Sequence, residues 1–358
     1  MNGPISDSLK ARIANLIAVQ GPISVAQYMT MALHDPLAGY YATRQPFGRS
    51  GDFITAPEIS QMFGEMLGLW CVTVWAGQGK PKKKTLVELG PGRGTLMADV
   101  LRAARIAPDF LDGLDVVLVE SSPALQKLQA ENLKACSVPI RWTAQFEGSG
   151  QPLFLLANEF FDALPIRQYV RTERGWCERM VTAKEGALGF ALAPTPSMMM
   201  PEAPQGGVCE VSSAAIALME MIGKEVATQG GAALLLDYGY GPDAGYGETL
   251  QAVGGHEFAD LLTEPGLHDL SAHVDFAALA RAAQQDGAKV FGPRGQGEFL
   301  LALGIAARAE QLMAANPKEA KDVGAALARL TEAGQMGTLF KAMALLPPSA
   351  PPPPGFAP

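Results

Sequence analysis

The segment that most limits what this chain can become is Leu86-Val87-Glu88-Leu89-Gly90-Pro91-Gly92-Arg93-Gly94-Thr95-Leu96. An apolar run of strand type enters three glycines at every second position, and a helical pattern follows. Glycine serves where backbone must turn sharply and let a ligand approach with no Cβ in the way. The amino end of the next helix offers free N–H groups and positive potential to an anionic or carboxylate-bearing ligand. The flanking sequence has the matching texture. Apolar runs at 85–89, 116–119, 140–143, 153–157 and 232–236 are separated by helical patterns at 95–104, 123–134 and about 214–227. Fully apolar runs spaced by helices are the signature of a parallel sheet covered on both faces.

The rest of the chain organises around that core. Leu9, Ile13, Leu16 and Ile17 share one face of a first helix, and a second begins after Gly21-Pro22 and ends near Asp35-Pro36. From Pro57 a long helix is expected, with Ile59, Met62, Phe63, Met66, Leu67, Trp70 and Val74 at helical spacing. Residues 166–193 switch to short half-polar runs and read as an inserted β meander. Later come a helix at 276–285, a strand at 288–291, helices at 298–315 and 319–333, and a last strand at 339–345. The Pro-rich tail, 347–358, is expected to be extended or disordered. The expected organisation is thus an N-terminal helical region with a lid loop (1–79) and a catalytic α/β domain (80–345). That domain carries insertions at about 166–200 and 294–333, and the tail (346–358) follows.

A net charge of −8 disfavours a nucleic-acid binder, which would hold phosphates with a basic surface. The basic run Lys80, Lys82, Lys83 and Lys84 reads as a solvated linker. Cys71, Cys136, Cys177 and Cys209 form no Cys-x-x-Cys pair, so neither a zinc site nor a disulfide framework is expected, and a reducing compartment fits. No apolar run is long enough for membrane insertion, and no leader pattern opens the chain. The expected location is cytoplasmic.

Two kinds of nucleotide cofactor use a glycine turn of this sort. A dinucleotide fold wants Gly-x-Gly-x-x-Gly. Here the spacing is Gly-x-Gly-x-Gly with an acid, Glu88, two residues before the first glycine, which resembles the first motif of class I S-adenosylmethionine (SAM) methyltransferases. Glu120 ends the next strand pattern, where a carboxylate can accept hydrogen bonds from both ribose hydroxyls. NAD and SAM enzymes share that device. Ligands of open α/β sheets lie beyond the carboxyl ends of the strands. Asn158, Glu159, Asp162 and Asp237, all at or just after strand ends, therefore belong at the crevice, with helix capping or a turn as their plainer alternative roles.

Several longer segments together resemble the MidA family of SAM-dependent methyltransferases. They are Gly51-Asp52-Phe53-Ile54-Thr55-Ala56-Pro57-Glu58-Ile59-Ser60, the Glu88–Gly94 loop, Asn158-Glu159-Phe160-Phe161-Asp162-Ala163-Leu164-Pro165 and Asp237-Tyr238-Gly239. To these add Asp269-Leu270-Ser271-Ala272-His273-Val274-Asp275-Phe276, Gln296-Gly297-Glu298-Phe299-Leu300 and Met336-Gly337-Thr338-Leu339-Phe340-Lys341. The resemblance spans roughly residues 8–345. It implies a class I SAM-methyltransferase (Rossmann-like) α/β fold, SAM as cofactor, and a protein acceptor: the mitochondrial members assemble respiratory complex I and dimethylate an arginine of a core subunit. It places Gly90, Gly92, Gly94 and Glu120 at the cofactor and makes Gly51–Ser60 a lid whose Asp52 and Ser60 approach cofactor or substrate. The stretch Glu248-Thr249-Leu250-Gln251-Ala252 and the following His256 depart from the family pattern, so no role carries over to them.

The expected cofactor contacts are Glu88, Gly90, Gly92, Gly94, Glu120, Asn158, Asp52 and Ser60, and no metal is expected. Methyl transfer from a sulfonium depends chiefly on placement, and well-oriented reacting pairs gain effective molarities of about 10⁵–10⁸ M. An acceptor guanidinium starts charged and needs carboxylates to hold its fork. Glu159 and Asp162 are the expected pair, with Asp237 and Asp52 behind them. His256, His268 and His273 read as loop or packing residues. The competing readings are an NAD-dependent oxidoreductase and a non-catalytic SAM-binding assembly factor.

Overall fold

The computed structural model describes residues 8–43, 55–196, 202–242, 246–255 and 257–357. Its centre is a sheet whose seven main strands, in chain order, are β1 (Lys84–Leu89), β2 (Leu114–Val119), β3 (Ile140–Thr143), β4 (Leu153–Asn158), β5 (Gly231–Tyr240), β6 (Lys289–Gly295) and β7 (Phe340–Leu346). Their spatial order is β3-β2-β1-β4-β5-β7-β6. The first five are parallel, β7 runs antiparallel to β5, and β6 is antiparallel to β7. The strand order reverses direction between β1 and β4, which opens a crevice at their carboxyl ends.

Alternation along each strand explains why its residues are apolar throughout. Leu86, Val116, Leu118, Phe154, Leu156, Leu234 and Leu236 face one layer of helices, while Val87, Leu89, Val117, Leu155, Leu235 and Met343 face the other. The first layer holds helices Gln61–Gly77, Thr95–Ala103 and Ile305–Ala315; the second holds Ser213–Gln229 and Phe276–Gln284. Leu155 and Leu156 are both fully buried on opposite faces, and burying a side chain of this size is worth about 1.5–3 kcal/mol.

The N-terminal region divides between two cores. Helices Leu9–Gln20 and Val25–His34 pack with the inserted strands through Ile13, Tyr28, Met29, Leu33, Ile166 and Val181. Ile23–Ser24 adds an edge strand to that insertion, pairing with Val181 and Met180. The insertion itself is a meander, Arg167–Thr172, Gly175–Lys184 and Ala187–Leu192, joined by Val208–Val211. Helix Gln61–Gly77 belongs instead to the catalytic sheet, where it lies against Thr95–Ala103.

Four expectations need correction. The helix expected from Pro57 is broken at Ser60, whose extended backbone separates a short turn, Ala56–Ile59, from Gln61–Gly77. Lys84 is not part of a solvated linker. It is fully buried, with its ammonium donating to the carbonyls of Lys82, Asp109 and Asp112 and lying over the Trp75 and Phe110 rings. The helix expected over 298–315 breaks at Gly304 into Gln296–Ala302 and Ile305–Ala315. The proline-rich tail is anchored: Trp70 donates to the Pro354 carbonyl, Arg294 to the Gly355 carbonyl, and Phe356 packs on Phe299. No helix of the described residues is long and apolar enough to cross a membrane.

Candidate active site

The glycine turn sits where β1 ends. Gly90, Gly92 and Gly94 all have positive φ, at 61°, 52° and 81°, a region costly for residues with a Cβ. A Cβ on Gly90 would lie 2.8 Å from Phe160 Cδ2, so close packing also demands glycine there. Gly94 is the N-cap of helix Thr95–Ala103 and supplies no side-chain cap of its own, while the Glu88 carboxyl accepts from Met97 N.

Two openings flank this turn. A cavity of about 610 Å³ is lined by Gly90, Gly92, Glu120, Ser121, Gln145 and Phe146, and continues to His34, Tyr41, Glu159 and Phe160. On the other side Thr55, Glu58, Glu88, Arg93, Asn158 and Glu159 surround a narrow recess of about 30 Å³. The larger space falls within the roughly 300–1,000 Å³ usual for small-molecule sites.

Glu120 is held rigidly at the end of β2. Its carboxylate accepts from Ser122 N at 2.8 Å and from Gln129 Nε2 at 3.2 Å. Gln129 is fully buried and also donates to the Gly92 carbonyl at 2.8 Å, while its own oxygen accepts from Trp142 Nε1. One side chain thus fixes the glycine turn and the ribose-type acid together. Gln129→Leu leaves the Trp142 indole and the Gly92 carbonyl unpaired. At about 1–3 kcal/mol for a buried unpaired group, S-adenosylhomocysteine affinity by calorimetry is expected to fall about tenfold.

The end of β4 is the most constrained part of the site. Glu159 adopts a left-handed φ of 50°, a strain of about 1–3 kcal/mol for a residue with a Cβ. Asp237 holds the turn in place. Its Oδ2 accepts from the N–H groups of Phe160, Phe161 and Asp162 at 3.1, 2.9 and 3.3 Å, and its Oδ1 from Tyr238 N at 2.9 Å. Asp237 is buried and its oxygens are spent on backbone, so it positions the neighbouring acids instead of facing the cavity.

Glu159 Oε1 accepts from Ala56 N and Asn158 Nδ2, both at 3.0 Å. Burial pushes the Glu159 carboxyl up to about 7, with nearby Asp162 adding to the rise. Asp162 is also raised by burial, to about 6, against a hydrogen bond from Tyr238 that lowers it. Its Oδ1 is buried without a partner. Glu88, at the back of the narrow recess, is pushed to about 8 by burial, and its Oε2 has no partner either. Among the described residues neither Glu159, Asp162 nor Asp237 has a basic partner in an ion pair, and Arg329 exerts only a minor pull on Glu159.

The structure therefore brings Glu88, Gly90, Gly92, Glu120, Asn158 and Glu159 to the walls of the two adjoining openings, with Gly94 at the following helix start and Asp162 buried behind them, lining neither. Ser60 does not join them: its hydroxyl accepts from Met62 N and caps helix Gln61–Gly77. Glu58 is the residue of that segment that reaches the recess, where it accepts from Thr95 Oγ1 at 2.5 Å. Asp52 and His256 lie outside the described residues. His268 stands beside Glu264, and His273 packs edge-on against Tyr238. Sequence reasoning missed His34, Tyr41, Glu58, Gln129 and Gln145. Of these, Gln129 carried a signal, since it interrupts the apolar stripe of Leu125 and Leu133 at four-residue spacing.

Comparison with known proteins decides between the nucleotide cofactors. Residues 66–294 match the family model for S-adenosyl-L-methionine-dependent methyltransferases. The chain belongs to this methyltransferase family. It is 39% identical over 342 residues to the mitochondrial protein arginine methyltransferase NDUFAF7 of Danio rerio, covering 87% of this chain and 80% of that protein. It is 38% identical over 359 residues to the Homo sapiens NDUFAF7, covering 91% and 80%. A superfamily member and methyl transferase candidate from Burkholderia thailandensis, solved with S-adenosyl-homocysteine, superposes with a TM-score of 0.88 at 30% identity, covering 100% of this chain and 97% of that one.

The methyltransferase family uses a class I fold and SAM, which replaces the NAD reading. The residues present fit that cofactor. Asn158 Oδ1 is a buried acceptor without a donor, as a cofactor ammonium requires. The helix start at Gly94 suits its carboxylate, and Glu120 suits its ribose.

Proposed function

We propose that this methyltransferase acts on an arginine side chain of a polypeptide. The observation that carries the reading is the pair Glu159 and Asp162, a half-buried and a buried carboxyl just beyond β4 with no ion-pair partner among the described residues. Burial penalises their charged forms, and a bound guanidinium would relieve that penalty. Its planar fork suits two carboxylates better than a neutral acceptor would. Relatives named as protein arginine methyltransferases agree with this choice. The resemblance to the MidA family points further, to a subunit of respiratory complex I as acceptor. Those relatives carry a mitochondrial label; the four free thiols of this chain fit a reducing compartment.

Gly90–Gly94, Asn158 and Glu120 would hold SAM, which supplies an electrophilic methyl group when bound. The chain's own residues do the rest. Glu159 Oε2, which has no protein partner among the described residues, and Asp162 Oδ1 orient the guanidinium. As the nitrogen is alkylated its proton passes to Glu159, whose raised affinity for protons suits it as the base. Asp237 keeps both acids in place through the backbone of 160–162.

The acids act only when ionised, and both have raised affinities for protons. The expected kcat/KM is flat above about pH 8 and falls as pH drops through the Glu159 value near 7 and the Asp162 value near 6. A profile flat from about pH 5 to 8 would exclude them as binders and base. Mass analysis of arginine methylation in cells with and without the chain tests the acceptor class; loss of lysine rather than arginine methylation would overturn it.

A further inference from the structure

A second cavity, of about 340 Å³, lies beside the first and takes no part in the account above. The two are divided by the loop that follows β4. Phe160 lines the first cavity and Phe161 the second, with their rings edge-on at 5.5 Å. Helix Ser213–Gln229 is shared in the same way: Ala214, Ala217 and Leu218 face the first space, Ala215 and Ile216 the second.

The second cavity has an aromatic and acidic lining. Tyr240 and Tyr246 stand on its wall, and Trp176 backs Tyr246 at 5.4 Å between ring centroids. Burial chiefly hinders ionisation of the Tyr240 phenol, and the nearby negative charges of Asp275 and Glu210 add to it. Glu210 is committed to Gln168 and to the backbone of Thr249 and Leu250. Asp275 uses only Oδ1, which caps helix Phe276–Gln284 at Ala278 N, and its Oδ2 has no partner among the described residues. Burial lowers the proton affinity of His273, against the pull of Glu210. Arg281, although exposed, also lines the cavity, so one cation stands there against the two acids.

We infer that this cavity is a subsite for a second cationic side chain of the acceptor polypeptide, held by Asp275 between the Tyr240 and Tyr246 rings. Acids repel an anion, and ring faces with a nearby carboxylate favour an organic cation. The inference rests on the polypeptide acceptor proposed above, and extends its recognition beyond the reacting arginine.

Asn caps a helix about as well as Asp, so Asp275→Asn removes the charge and keeps the fold. The probe is butylguanidinium, titrated calorimetrically into protein loaded with S-adenosylhomocysteine. In Glu159→Gln protein the cation is expected still to bind, and adding Asp275→Asn is expected to weaken it about tenfold, the scale of one charge-assisted hydrogen bond. Binding lost with Glu159→Gln and untouched by Asp275→Asn would overturn the subsite and support the arginine reading. Binding lost with Asp275→Asn and untouched by Glu159→Gln would support the subsite and overturn the arginine reading. No binding to the unsubstituted protein would overturn both.

Discussion

Glu159→Gln is expected to lower kcat for arginine methylation by about 10²–10⁴-fold, the range for loss of a general base. The substitution keeps the shape of the side chain and the acceptor oxygen that receives Ala56 N and Asn158 Nδ2. What it removes is the charge facing the acceptor and the site that takes the proton. Affinity for S-adenosylhomocysteine should therefore stay essentially as it was, and single-turnover rates are the decisive readout. The part of the pH dependence centred near 7 should disappear with the carboxylate, leaving the fall near 6 that belongs to Asp162. An unchanged rate would assign the proton to another group and leave Glu159 as a brace for the segment at Ala56.

Gly90→Val is expected to abolish cofactor binding. Gly90 has a φ of 61°, which costs a residue with a Cβ about 1–3 kcal/mol. The new side chain also drives into Phe160, whose ring is 2.8 Å from the position of the Cβ, and overpacking of this kind costs typically about 1–3 kcal/mol. Relief requires the turn or the Phe160 ring to move into the cleft that both line. S-adenosylhomocysteine affinity by calorimetry should drop about 100-fold or more, in line with about 2.7 kcal/mol for two tenfold steps. Gly186→Ala is the control, because Gly186 also has a positive φ of 80° but faces open space. It should cost stability and leave cofactor affinity intact.

The legible parts of this protein were those set by local sequence. Strands buried on both faces read as unbroken apolar runs, and the glycine turn with Glu88 and Glu120 read as a nucleoside site because backbone conformation and strand ends leave a spacing. Tertiary features were harder. Lys84 looked like one more lysine in a basic run, yet three backbone carbonyls and two rings accommodate its ammonium. The tail looked unstructured because proline weakens helices and strands, although Trp70 and Arg294 bind its carbonyls without requiring either. His34 and Tyr41 reach the cavity only because the N-terminal helices dock on the insertion, a contact no spacing announces. Asp237 shows a different limit: an acid at a strand end reads as a candidate for chemistry, whereas four backbone N–H groups make it a clasp.

If Glu159 and Asp162 receive an arginine of a polypeptide, methyl label must arrive on arginine nitrogens. The most direct measurement incubates the protein with isotopically labelled SAM and a lysate of cells lacking it, then maps labelled methyl groups by peptide mass spectrometry. Label on arginine nitrogens, present with the unsubstituted chain and absent with both Glu159→Gln and Gly90→Val, is the predicted result. Label on lysine, on carboxyl groups or only on small molecules, or label that persists in Glu159→Gln protein, would contradict it.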